Sequence, residues 1–72
     1  MPKLASLKPS EVVRALEQAG FVRVRQRSSH LRLKRGNLAV TVPIHPDDLP
    51  ANVLRSILRQ AQLTEKEFLA LL

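Results

Sequence analysis

From Phe21 to Val42 the hydrophobic residues recur every second position, and the run is interrupted twice, at Ser28-Ser29 and at Gly36-Asn37. Val22 and Val24 alternate with Arg23, Arg25 and Arg27, and Leu31 and Leu33 alternate with His30, Arg32 and Lys34. A period of two predicts strands, and the third runs from Leu38 to Val42 before Pro43 stops it. Interruptions of two residues fit hairpin turns, although Ser28-Ser29 is not a favoured primed turn and leaves a wider loop with a slipped register open. Gly36 stands first in the second, as a type II′ turn requires. The segment is thus predicted to be a three-stranded antiparallel meander.

On both sides of it the period becomes helical. Lys8-Pro9-Ser10-Glu11 opens a first helix with proline in its first turn, Val12, Val13, Leu16 and Ala19 share a face, and Gly20 closes it. His45-Pro46-Asp47-Asp48-Leu49-Pro50 is a loop into a second helix striped by Val53, Leu54, Ile57, Leu58 and Ala61, with the aspartates as charges for its positive end. Thr64 and Glu67 have capping-box spacing before Phe68, Leu71 and Leu72, which gives a short terminal helix. Residues 1–72 are expected to form one α+β domain of two layers, with helices covering one face of the sheet. A chain of this length buries only roughly 60% of its unfolded surface.

The hairpin register predicts which residues share a face. With Ser28-Ser29 at the tip, Arg27 faces His30, Arg25 faces Arg32 and Arg23 faces Lys34 on one side, and Val24 faces Leu33 on the other. Carried through Gly36-Asn37, the register sets Leu33 against Val40 and Leu31 against Val42, so both hairpins turn the same face inward. Like charges directly opposite each other destabilise a sheet by roughly a few tenths of a kcal/mol per pair. Folding alone does not account for three such rows. An anionic partner does, although an arginine-rich strand also keeps a sheet edge soluble and unpaired.

The net charge of +6 lies entirely in Arg23–Arg35, which holds six basic residues and no acid, while the rest of the chain balances six against six. Basic residues on strands rather than on an amphipathic helix favour nucleic acid over a membrane surface. Phe21 and Phe68 are the only aromatic residues, so a base-stacking platform is missing and phosphate contacts must dominate. The absence of cysteine removes disulfides and thiolate metal sites, and no apolar run approaches the ~20 residues of a membrane span. A cytoplasmic protein without membrane attachment is expected.

His30 is the one histidine on the basic face, and an imidazole can take or give a proton near neutral pH. RNA carries its own nucleophile, the 2′-hydroxyl, so a base, an acid and cations can cleave it without a metal or cofactor. A histidine at a strand end is equally an ordinary polar surface residue, and spacing alone does not separate the two. His45 follows the third strand, where it can approach His30 or simply fix the loop. Two histidines so far apart, with only Asp47 and Asp48 near the second, match no metal spacing, and no metal site is expected. Ser28 and Ser29 lack an orienting partner for a nucleophilic role and are common turn residues.

Several segments in this order resemble the HicA-type toxins of toxin–antitoxin pairs. They are Ala19-Gly20-Phe21, Arg25-Gln26-Arg27-Ser28-Ser29-His30, Val40-Thr41-Val42-Pro43-Ile44-His45, and Leu54-Arg55-Ser56-Ile57-Leu58-Arg59-Gln60-Ala61 before Phe68-Leu69. The resemblance implies a fold like a double-stranded-RNA-binding domain, cleavage of mRNA, His30 as the catalytic histidine, and a HicB-type antitoxin that masks the site. The family commonly has glycine before the Ser-His pair, where this chain has Ser28. The second helix also lacks the lysine cluster by which duplex-binding domains of this fold grip phosphates, so the fold does not carry duplex binding with it.

The expected function is therefore that of a metal-independent endoribonuclease toxin. His30 is the expected catalytic residue; Arg23, Arg25, Arg27, Ser29, Arg32 and Lys34 are expected on RNA, and Gln26, Ser28 and His45 in support. Two other classes fit the residues: a non-catalytic RNA-binding module, and a basic domain that binds an acidic protein.

Overall fold

Gly20 ends the first helix, and the way it does so orients the strand that follows. The computed structural model describes residues 7–44 and 47–72, with helix α1 at Pro9–Gln18 and strand β1 at Val22–Arg27. Gly20 has a φ of +102°, its N–H donates to Glu17 O at 3.0 Å, and the Phe21 N–H donates to Leu16 O at 3.0 Å. This is a Schellman closure, which brings the residue after the glycine back against the last turn. Phe21 is 1% exposed and Leu16 fully buried.

Strand β2 runs His30–Arg35 and β3 runs Leu38–Pro43; helix α2 spans Ala51–Ala61 and the short helix α3 spans Glu65–Leu69. The sheet is antiparallel in the order β1-β2-β3. Ser28 and Gly36, each first in its two-residue turn, have φ of +56° and +58°, the sign a type II′ hairpin needs. Leu31, Leu33, Val40 and Val42 turn inward to meet Val12, Val13 and Leu16 of α1, Leu54, Ile57 and Leu58 of α2, and Phe68 of α3. The expected α+β architecture of two layers is present, with the helices on one face and the other face open.

Polar contacts lock the ends of these elements. Glu11 accepts from the Lys8 N–H at 3.2 Å, half of a capping box, since a lysine side chain has no acceptor to return. Thr64 and Glu67 form the complete box at α3, with bonds of 2.9 and 3.1 Å. Leu7 and Leu49 exchange two backbone bonds of 3.1 and 2.7 Å, which ties the chain before α1 to the entrance of α2. The N-cap of α2 is Pro50, and its first turn contains no acid; Asp47 and Asp48 lie upstream of it and do not serve as its first-turn charges. No helix among the described residues is long and apolar enough to cross a membrane.

The register of β1 departs from expectation at one residue. Arg27 faces His30 and Arg25 faces Arg32, but Arg23 faces Leu33 and Val22 faces Lys34, with a bulge between Arg23 and Arg25. Val24 is the extra residue and has no partner. The cause lies in Phe21. Strict alternation from a buried Phe21 would turn Arg23, Arg25 and Arg27 all towards the helices; the bulge reverses the phase after Arg23 and sends Arg25 and Arg27 to the open face. Arg23 therefore does not face Lys34, and Val24 does not pack on Leu33. Val22 and Val24 are 59% and 49% exposed and lie outside the core.

Candidate nucleic-acid interface

The open face is built from the alternate residues of three strands. His30, Arg32 and Lys34 of β2 alternate with the buried Leu31 and Leu33, Arg25 and Arg27 of β1 stand opposite Arg32 and His30, and Thr41 of β3 stands opposite Arg32 on the other side. Arg25, Arg27, His30, Arg32 and Thr41 line one shallow depression of about 210 Å³. No acid lines it. The arginines and His30 are exposed and Thr41 is half-buried, so cations and an imidazole surround a threonine hydroxyl on a surface open to a polyanion.

The other expected residues are distributed differently. Lys34 shares the open face, between Val22 and Ala39, but does not line the depression. Arg23 lies on the helix side of the sheet, where its Nε donates to Glu17 Oε2 at 3.2 Å. Gln26 faces Leu31 and lines, with Ser10, Val13, Arg23, Leu31 and Ile44, a separate depression of about 200 Å³ on that side. Arg35 also leaves the basic face: its Nη1 donates to Ala19 O at 2.7 Å and its guanidinium lies 5.8 Å from the centroid of the Phe21 ring. A cation at the C-terminal end of α1 is well placed against the helix dipole.

The tip of the first hairpin is fixed by its backbone. The Ser29 carbonyl accepts from the Ile44 N–H at 2.6 Å, which joins the tip to the exit of β3. Ser28 occupies the left-handed conformation, where glycine is preferred. His45, expected nearby as a supporting residue, lies outside the described residues.

Thr41 is the site residue that the reading of the sequence missed. The signal was present, because the register that pairs Leu33 with Val40 also puts Thr41 beside Arg32. Its anchoring was not readable: the Thr41 N–H donates to Gln60 Oε1 at 3.1 Å, and Gln60 Nε2 lies 3.5 Å from Ser56 Oγ. A side chain of α2 thus occupies an outward donor of the edge strand.

No curated protein matches the chain. The family model described as "HicA toxin of bacterial toxin-antitoxin" matches residues 9–63, from the start of α1 to just beyond α2. That stretch includes every residue of the open-face depression and most of the 72-residue chain. The chain belongs to the HicA toxin family of bacterial toxin–antitoxin systems.

Proposed function

We propose that the chain is an endoribonuclease toxin that binds mRNA across the open sheet face and cleaves it with His30. The reading is carried by the convergence of His30, Arg25, Arg27, Arg32 and Thr41 around one depression. Arg25, Arg27 and Arg32 neutralise backbone phosphate, and Lys34 extends the path along the strand. His30 transfers the proton as the RNA 2′-hydroxyl attacks the adjacent phosphorus and the bond to the 5′-oxygen breaks. The products are then a 2′,3′-cyclic phosphate and a 5′-hydroxyl. The arginines stabilise the added negative charge of the transition state, the largest contribution expected from such a site. RNA supplies the nucleophile, so the reaction requires no metal or cofactor. Cleavage of mRNA arrests translation, and a HicB-type antitoxin restrains it.

A second reading has one observation in its favour. Among the described residues no side chain hydrogen-bonds to His30, as a histidine that only contacts phosphate would allow. The chain would then be a non-catalytic RNA-binding module. Induced expression in a bacterial host separates the two: the nuclease reading expects growth arrest by the wild-type chain, loss of arrest with His30→Ala, and mRNA with new internal ends. Arrest that persists unchanged with His30→Ala removes the nuclease mechanism.

A further inference from the structure

Among the described residues the exposed large hydrophobic side chains are Val22, Val24 and Leu72, and two of these three lie on one strand, two positions apart. The buried Phe21 turns Val22 outward, and the bulge leaves Val24 without a partner. A strand favours β-branched residues, but threonine fills that need at an exposed position as well as valine does. Val22 is opposite Lys34, Arg25 follows Val24, and Arg23 lies between the valines on the other side of the strand. The pair is therefore an apolar spot bordered on the open face by Lys34 and Arg25, towards the end of β1 away from His30.

Phosphate contacts make no use of aliphatic side chains, so the spot is not accounted for by the RNA site. A protein surface with an apolar centre and a carboxylate rim would use both the valines and the cations. A second copy of this chain fits poorly, because a two-fold contact through the valines would set Arg25 and Lys34 against like charges. The edges of the sheet narrow the mode of contact. At β3, Gln60 occupies the Thr41 N–H and Pro43 has no N–H to offer, whereas β1 is exposed along its whole length. Its bulge, however, spoils the even ladder that an added strand would need. Contact is made by side chains.

We propose that Val22 and Val24, flanked by Arg25 and Lys34, are the docking point for the antitoxin, through an acidic surface with an apolar centre. Val22 and Val24 themselves do not line the depression around His30, whereas Arg25 borders both surfaces. The inference rests on the antitoxin partner that the family implies, and not on cleavage by His30.

The test measures the affinity of the purified cognate antitoxin for the wild-type chain, for the double variant Val22→Thr/Val24→Thr, and for Val24→Glu. Threonine keeps the β-branched shape, and thermal unfolding checks that each variant folds. Loss of such anchors is expected to weaken antitoxin binding about tenfold or more in the double variant. Val24→Glu, which opposes the acidic rim, should weaken it further, and RNA affinity of the threonine variant should stay within about twofold of wild type. Unchanged antitoxin affinity in a folded double variant overturns the proposal, as does a parallel fall in antitoxin and RNA affinity. If the wild-type chain cuts no RNA but the valine variants still lose antitoxin, the nuclease reading fails and the docking point stands.

Discussion

The backbone N–H of Thr41 donates to the side chain of Gln60 at 3.1 Å, so helix α2 holds the edge strand that borders His30. Replacing Gln60 with alanine leaves that donor to water or unpaired, at an expected cost of about 1 kcal/mol. Amide hydrogen exchange is the direct measurement. Gln60→Ala is expected to accelerate exchange at Thr41 more than at Val40 or Val42, whose amides face the β2 ladder. Equal acceleration at all three would mean that Gln60 acts only on global stability.

Arg23 and Arg25 differ by two positions in sequence and by a face in structure. Arg25→Ala, Arg27→Ala and Arg32→Ala should each weaken single-stranded RNA binding and reduce the slope of log K against log salt by about 0.7. Arg23→Ala should leave that slope unchanged and cost only the exposed pair with Glu17, typically about 0–1 kcal/mol of stability. A filter-binding titration across salt concentrations reads both. An Arg23→Ala slope that falls as far as that of Arg25→Ala would contradict the bulged register.

Ser28 and Gln62 are the two non-glycine residues with positive φ among those described, at +56° and +57°. A left-handed conformation costs an L-residue about 1–2 kcal/mol, while glycine loses about 0.5–1 kcal/mol through its freer unfolded chain. Ser28→Gly and Gln62→Gly should therefore each stabilise the fold by roughly 0.5 kcal/mol, measured as a higher denaturant midpoint at constant m. A lower midpoint for either would show that its serine or glutamine makes a compensating contact.

The capping box at α3 gives the stability a pH dependence of defined sign. The Glu67 carboxyl is held below its ordinary value, chiefly by the Thr64 N–H, then by the Thr64 hydroxyl and, more weakly, by the field of Arg35, with desolvation opposing them. A carboxyl lowered on folding contributes stability that is complete above its unfolded value and is lost as pH falls through the folded one. Glu67→Gln should be less stable than wild type near neutral pH, and the difference should close in acid. Urea midpoints at the two pH values measure it, and a difference independent of pH would remove the carboxylate from the account.

The legible parts of the fold were those set by local pattern. The stripe from Val53 to Ala61, the Thr64–Glu67 box and the pairing of Leu31 and Leu33 with Val42 and Val40 follow from spacing and turn length alone. The first hairpin was legible from its tip as far as Arg25. Beyond that, the alternation of Val22 and Val24 with arginines competed with Ala19-Gly20-Phe21, which drives Phe21 into the core, and a two-residue period cannot show that a strand contains an extra residue. Gln60 on Thr41 and Leu7 on Leu49 escaped for another reason: they join segments distant in sequence, and no local pattern encodes them.

The central claim, that His30 cuts RNA held by the open face, is tested most directly with a labelled transcript in EDTA, comparing purified wild-type and His30→Ala chains. The account expects cleavage by the wild type with 2′,3′-cyclic phosphate ends, and none by His30→Ala although it still binds the transcript. Equal cleavage by the two proteins, or cleavage by the wild type that EDTA abolishes, would contradict it.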